Sequence, residues 1–65
     1  MTTDEVRQLL SERQLEIVSA LVASYTNKEI AENLGLTLTN VEFQLYRIME
    51  KLGVSTRAQL ALMWL

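Results

Sequence analysis

The chain has 65 residues, with six Lys and Arg set against eight Asp and Glu, for a formal net charge of −2. That length permits one small domain, and a chain of this size buries only about 60% of the surface its unfolded form exposes. The absence of cysteine excludes a disulfide framework or a thiolate metal site, and the absence of histidine removes the commonest general base and metal ligand.

Stability must therefore come from packed apolar side chains, which make up 49% of the residues. No apolar run approaches the ~20 residues of a membrane span, and no charged-then-apolar leader precedes a cleavage site, so a soluble, cytoplasmic chain is expected. Nucleic-acid binders are usually basic, because their affinity rests on neutralising phosphates. Any positive face on this chain must be local.

The first ten residues are polar apart from Val6, Leu9 and Leu10, and read as an extra turn, an extension or a linker remnant. Residues 11–65 read as the domain proper. Ser11 followed by Gln14 forms a capping box, with Leu10 and Leu15 at the staple positions. Apolar residues then recur at Leu15, Val18, Leu21, Val22 and Tyr25, predicting a helix over about 12–24.

Thr26 and Glu29 form a second capping box. Ile30, Ala31 and Leu34 give a short apolar stripe, and Gly35 stands where a helix takes its left-handed stop, so a helix of two turns is predicted over 27–34. A third helix is predicted over 38–52, with Thr37 as its cap, a core stripe of Val41, Leu45, Ile48, Met49 and Leu52, and Gly53 as its end. Thr56 and Gln59 make a third capping box and open a last helix over 56–65. Four helices joined by short connections leave no room for a sheet, and the expected class is all-α. A two-turn helix, a glycine-containing turn and a longer helix also give the outline of a helix-turn-helix, although a plain four-helix bundle has the same outline.

The last helix is apolar on two sides. Ala58, Ala61, Leu62 and Leu65 form one stripe, expected to face the core, while Leu60, Met63 and Trp64 form another. A helix apolar on two sides is buried on two sides or meets a partner. No catalytic constellation or metal-ligand set is present, and no cofactor is implied.

The segment LSERQLEIVSALVASYTNKEIAENLGLTLTNVEFQLYRIMEKLGVSTRAQLA, from Leu10 to Ala61, resembles the LuxR-type (GerE-like) helix-turn-helix domain of bacterial transcription regulators. The match runs through Leu10, Arg13, Glu16, Val18, Leu21, Val22, then Asn27, Lys28, Glu29, Ile30, Ala31 and Leu34, and on through Val41, Ile48, Lys51, Leu52, Val54 and Arg57. What the resemblance implies is an output module of a larger regulator, with a receiver or sensor domain possible upstream. Its second helix would prop the third in the major groove of duplex DNA, and its fourth would form a homodimer, which assigns Leu60, Met63 and Trp64 to the interface.

By family position, Lys28 and Arg57 would hold phosphates, joined by Asn40, and both cations fall near helix starts, where backbone N–H groups assist. With Val41, Leu45, Ile48 and Leu52 inward, the residues facing the groove would be Glu42, Phe43, Tyr46 and Arg47, with Glu50 further along. Two departures stand out. A glutamate, Glu42, replaces the family's lysine, and Tyr25 stands where the family's glycine is placed before the second helix. Two functional readings follow. A DNA reader predicts that Lys28, Arg47, Lys51 and Arg57 gather on one face, with Glu42 and Glu50 outside it. A protein-interaction or dimerisation module on the same scaffold predicts aromatics there, ringed by acids.

Overall fold

The computed structural model describes residues 3–64. Among them the helices are α1 (Thr3–Leu9), α2 (Glu12–Val22), α3 (Asn27–Leu34), α4 (Leu38–Leu52) and α5 (Arg57–Trp64). The all-α expectation holds, with five helices in place of four.

The additional helix lies in the segment expected to be an extension. Asp4 and Glu5 sit in the first turn of α1 and Arg7 in its last, charges that suit the helix dipole. Val6 is fully buried and Leu10 nearly so, in the same core cluster as the other helices. A seven-residue helix has no stability of its own, so packing against α4 and α5 holds it in place. Two apolar residues at i and i+4 carry that packing, too few to give a periodic signal.

The three capping boxes form as read. Ser11 Oγ accepts from the Gln14 amide at 3.2 Å while Gln14 Oε1 accepts from the Ser11 amide at 3.1 Å. Thr26 and Glu29 do the same at 3.1 and 2.8 Å, as do Thr56 and Gln59 at 3.1 and 3.2 Å. Thr37 caps α4 by accepting from the Asn40 amide at 3.0 Å.

Helix ends share one device. Gly35 (φ 68°) and Gly53 (φ 69°) stop α3 and α4 in the left-handed region, and Ser24 (φ 73°) does the same after α2. The Ser24 amide donates to Leu21 O at 3.0 Å and the Tyr25 amide to Ala20 O at 3.1 Å, the paired bonds of a Schellman ending. The position that calls for glycine before α3 is therefore Ser24, one residue before Tyr25. Helix α2 accordingly closes at Val22, two residues earlier than expected.

The core is built from Ile17, Val18 and Leu21 of α2, Ile30 and Ala31 of α3, and Val41, Leu45, Ile48 and Leu52 of the expected α4 stripe, whose fifth member, Met49, packs at the margin and stays partly accessible. Ile17 lay outside the expected stripe but is fully buried, whereas Tyr25, placed within it, is 43% exposed. Helix α5 is rotated from its expected setting. Leu60 is fully buried, Ala58 is exposed and Leu62 is 69% exposed. Met63 and Trp64 pack against the core while staying partly accessible, and Leu65 lies outside the described residues. Nearly every residue of α5 from Ala58 onward is apolar, so periodicity could not choose its inward face.

Candidate nucleic-acid interface

The helix-turn-helix is α3, the turn Gly35–Thr37 and α4. Ile30 and Ala31 bury one face of α3 against α4, and the small side chain of Ala31 allows close approach. Gly35 turns the chain, and the Leu36 amide donates back to Ala31 O at 2.9 Å. With Val41, Leu45, Ile48 and Leu52 inward, α4 exposes Asn40, Glu42, Phe43, Tyr46, Arg47 and Glu50 to solvent. Phe43 is 55% exposed and Tyr46 61%, values that leave most of each ring free for a partner. Leu38, at the start of the same helix, is also exposed.

The cations divide into two groups. Arg7 stacks over the Trp64 ring at 5.2 Å, and Arg13 donates to Leu34 O at 3.3 Å and pairs with Glu16 at 3.8 Å. Lys51 donates to Gln14 Oε1 at 3.1 Å and reaches Leu9 O at 3.5 Å, which turns it toward the junction of α1 and α2. Arg57 donates one N–H to Asn27 Oδ1 and another to Tyr25 O at 2.7 Å, tying the start of α5 to the start of α3. Lys28 donates to no group among the described residues, and Arg47, like Arg7, is held by a ring contact instead of an ion pair, resting over Phe43 at 5.8 Å.

Of the four cations expected on one face, Lys51 and Arg57 are already bonded within the chain. Lys51 is committed to the α1–α2 junction. Glu42, expected outside the positive face, lines one small hollow together with Asn27 and Arg57, floored by Leu21, Leu45 and Met49.

Gln14 and Gln44 were not singled out as functional in the sequence. Gln14 is 7% exposed and its Nε2 donates to Gln44 Oε1 at 3.3 Å, connecting α2 to α4 beside the exposed face. Arg57 was singled out for phosphate, and its tie to Tyr25 and Asn27 has no local sequence signal because thirty residues or more separate the partners. Of the residues assigned to a dimer surface, Leu60 is unavailable, being fully buried within its own chain. The outward side of α5 carries Ala58 and Leu62 instead.

Among the described residues no helix is long and apolar enough to cross a membrane, and no group of acidic residues could hold a metal ion. The fold and its exposed α4 define a small helix-turn-helix domain. The family described as bacterial regulatory proteins, luxR family, matches residues 8–64. Oxygen regulatory protein NreC of Staphylococcus aureus, in strains JH9, Mu3 / ATCC 700698 and USA300, is 42% identical over 59 residues. That stretch is 91% of this chain and 27% of each relative. No solved structure matches the chain. The chain belongs to the luxR family of bacterial regulatory proteins, a class of DNA-binding transcription regulators and not of enzymes.

Proposed function

We propose that the chain is the output domain of a bacterial transcription regulator and binds duplex DNA sequence-specifically with α4 in the major groove. The observation that carries this reading is the family match over residues 8–64, which spans the whole helix-turn-helix. A helix fits the major groove, and side chains on its outward face meet base edges. Glu42, Phe43, Tyr46 and Arg47 face the bases, while Lys28, Asn40 and Arg57 meet phosphates. The uncommitted state of Lys28 supports its part. Arg57 keeps further N–H donors beyond the two it spends on Asn27 and Tyr25.

A homodimer through α5 completes the reading. Support comes from Leu62 at 69% exposure and from a shallow, mostly apolar hollow beside it that includes Tyr25, Ala58 and Ala61. Two copies related by a two-fold axis would set their α4 helices at half-sites about 34 Å apart. The chain spans 27% of the length of the curated relatives it matches, which supports an upstream receiver or sensor domain, in a cytoplasmic protein.

A second reading, a helix-turn-helix scaffold that binds protein, is favoured by one specific observation. Glu42 faces outward where the family has lysine, and a like charge beside phosphate costs from ~1 to ~4 kcal/mol with effective dielectric. The deciding experiment measures binding to a pool of random duplex DNA at low and moderate salt, for the native chain and for Glu42→Lys. Native binding that weakens as salt rises supports the regulator reading. Binding by Glu42→Lys alone transfers the case to the protein-interaction reading, and silence from both removes the DNA reading.

A further inference from the structure

Arg47 and Phe43 form a pair on the exposed face of α4. They stand at i and i+4, so both side chains lie on one side of the helix, and the longer one leans back toward the N-terminus over the shorter. The Arg47 guanidinium carbon sits 5.8 Å from the Phe43 ring centre. Glu50, one turn further on, and Glu42, beside the ring, both remain outside ion-pair distance of Arg47. The ring therefore serves as the shelf for the guanidinium. It fixes a long, rotamer-rich side chain without consuming any of its five N–H donors.

We infer that Phe43 and Arg47 act as one unit that reads a 5-methylpyrimidine, thymine in ordinary DNA, within two base pairs of a guanine. This deepens the DNA-binding reading above and rests on it. Thymine is the base that offers an apolar group in the major groove, its C5 methyl, and guanine offers O6 and N7 in the geometry of a guanidinium fork. The Phe43 ring, more than half exposed, supplies the apolar surface for the first. Arg47 supplies the fork for the second. Their 5.8 Å separation corresponds to between one and two base steps at about 3.4 Å each, so one pair of side chains can serve neighbouring bases.

The ring contact couples the two roles. An arginine free of the ring would sample phosphate and base alike, whereas one laid across an aromatic face keeps its donors directed past the ring edge. Removing the ring should consequently weaken recognition of the guanine, which the ring never touches. That coupling separates the pair from two unrelated contacts.

The test starts from a duplex selected by the native chain from a random pool. Each thymine is then replaced singly by deoxyuridine, which removes the C5 methyl alone, and each guanine by 7-deazaguanine, which removes N7 alone. For the native chain, one thymine in each half-site should give about a fourfold loss on methyl removal, the transfer free energy of a buried methyl expressed as a binding ratio. A guanine within two base pairs of it should give a loss of about fivefold or more. Phe43→Ala should abolish the deoxyuridine effect and shrink the 7-deazaguanine effect at that same guanine.

Salt-dependent binding that ignores both replacements overturns the inference and leaves the DNA reading standing. So does a 7-deazaguanine penalty that is unchanged in Phe43→Ala. Failure of the native chain to select any duplex overturns both.

Discussion

The ammonium of Lys51 lies 3.1 Å from Oε1 of Gln14, and Gln14 is the buried polar side chain of the core among the described residues. A full positive charge is thus met by a neutral amide at a point where α1, α2 and α4 converge. Gln14→Glu keeps the acceptor for the Ser11 amide and turns the contact with Lys51 into an ion pair, while Gln44 must rotate its amide to donate. The expected gain is about 1 kcal/mol at pH 7, after the burial of a new carboxylate is offset. Lys51 holds the new carboxyl below its unfolded value of about 4.3, so the gain is full above that pH and lost as pH falls through the folded value. Urea unfolding of both chains at pH 7 and pH 3 checks the amount and the sign.

Ser24 pays the steric cost of a left-handed backbone at φ 73°, a region where a Cβ crowds the following carbonyl. Ser24→Gly should raise stability by about 0.5–1 kcal/mol, since glycine meets no such penalty and the Schellman bonds are made by the backbone. Ser24→Val should lower it by more than that. A shift in the urea midpoint at constant slope identifies the effect as one on stability.

Helix α1 is integral to the fold if Val6 contributes as its complete burial indicates. Val6→Ala leaves a void at the meeting of α1, α4 and α5 and should cost about 2 kcal/mol. In a domain of this size each kcal/mol corresponds to roughly 4–8 °C in Tm, so a thermal melt followed by circular dichroism resolves the loss easily. An unchanged Tm would mean that the core closes without α1.

Glu29 carries a pH signature. Its carboxylate accepts from the Thr26 amide at 2.8 Å, and hydrogen bonding by that amide and by the Thr26 side chain holds its pKa below 4.5. A lowered folded pKa means that the contribution is present above the unfolded value and lost as pH falls through the folded one. Glu29→Gln preserves the capping box without the charge, so its Tm should fall less steeply than the native chain's below about pH 4.5. Parallel slopes for the two chains would refute the assignment.

Much of this fold was readable because its signals are local. Ser11 with Gln14, Thr26 with Glu29 and Thr56 with Gln59 each mark a helix start within four residues, and Gly35 and Gly53 mark two helix ends. The α4 stripe is regular enough to orient the helix, and that orientation exposes Glu42, Phe43, Tyr46 and Arg47 together. What escaped the sequence depends on partners far along the chain. Val6 is buried by helices that come later, and Leu60 is chosen over Leu62 by the fit of α5 against α2 and α1. Lys51 and Arg57 are drawn to carbonyl and amide oxygens 42 and 32 residues away, which no charge pattern on one helix discloses.

The stacking of Arg7 on Trp64 makes neighbours of the first and last helices in the described chain. Neither helix exceeds eight residues, and each rests on the other as well as on the core, α1 against α4 and α5 against α2. Fraying at one end therefore uncovers the other. Amide protons of α1 and α5 should exchange with solvent as a single unit, at a common rate faster than that of α4, and Arg7→Ala should accelerate both ends together.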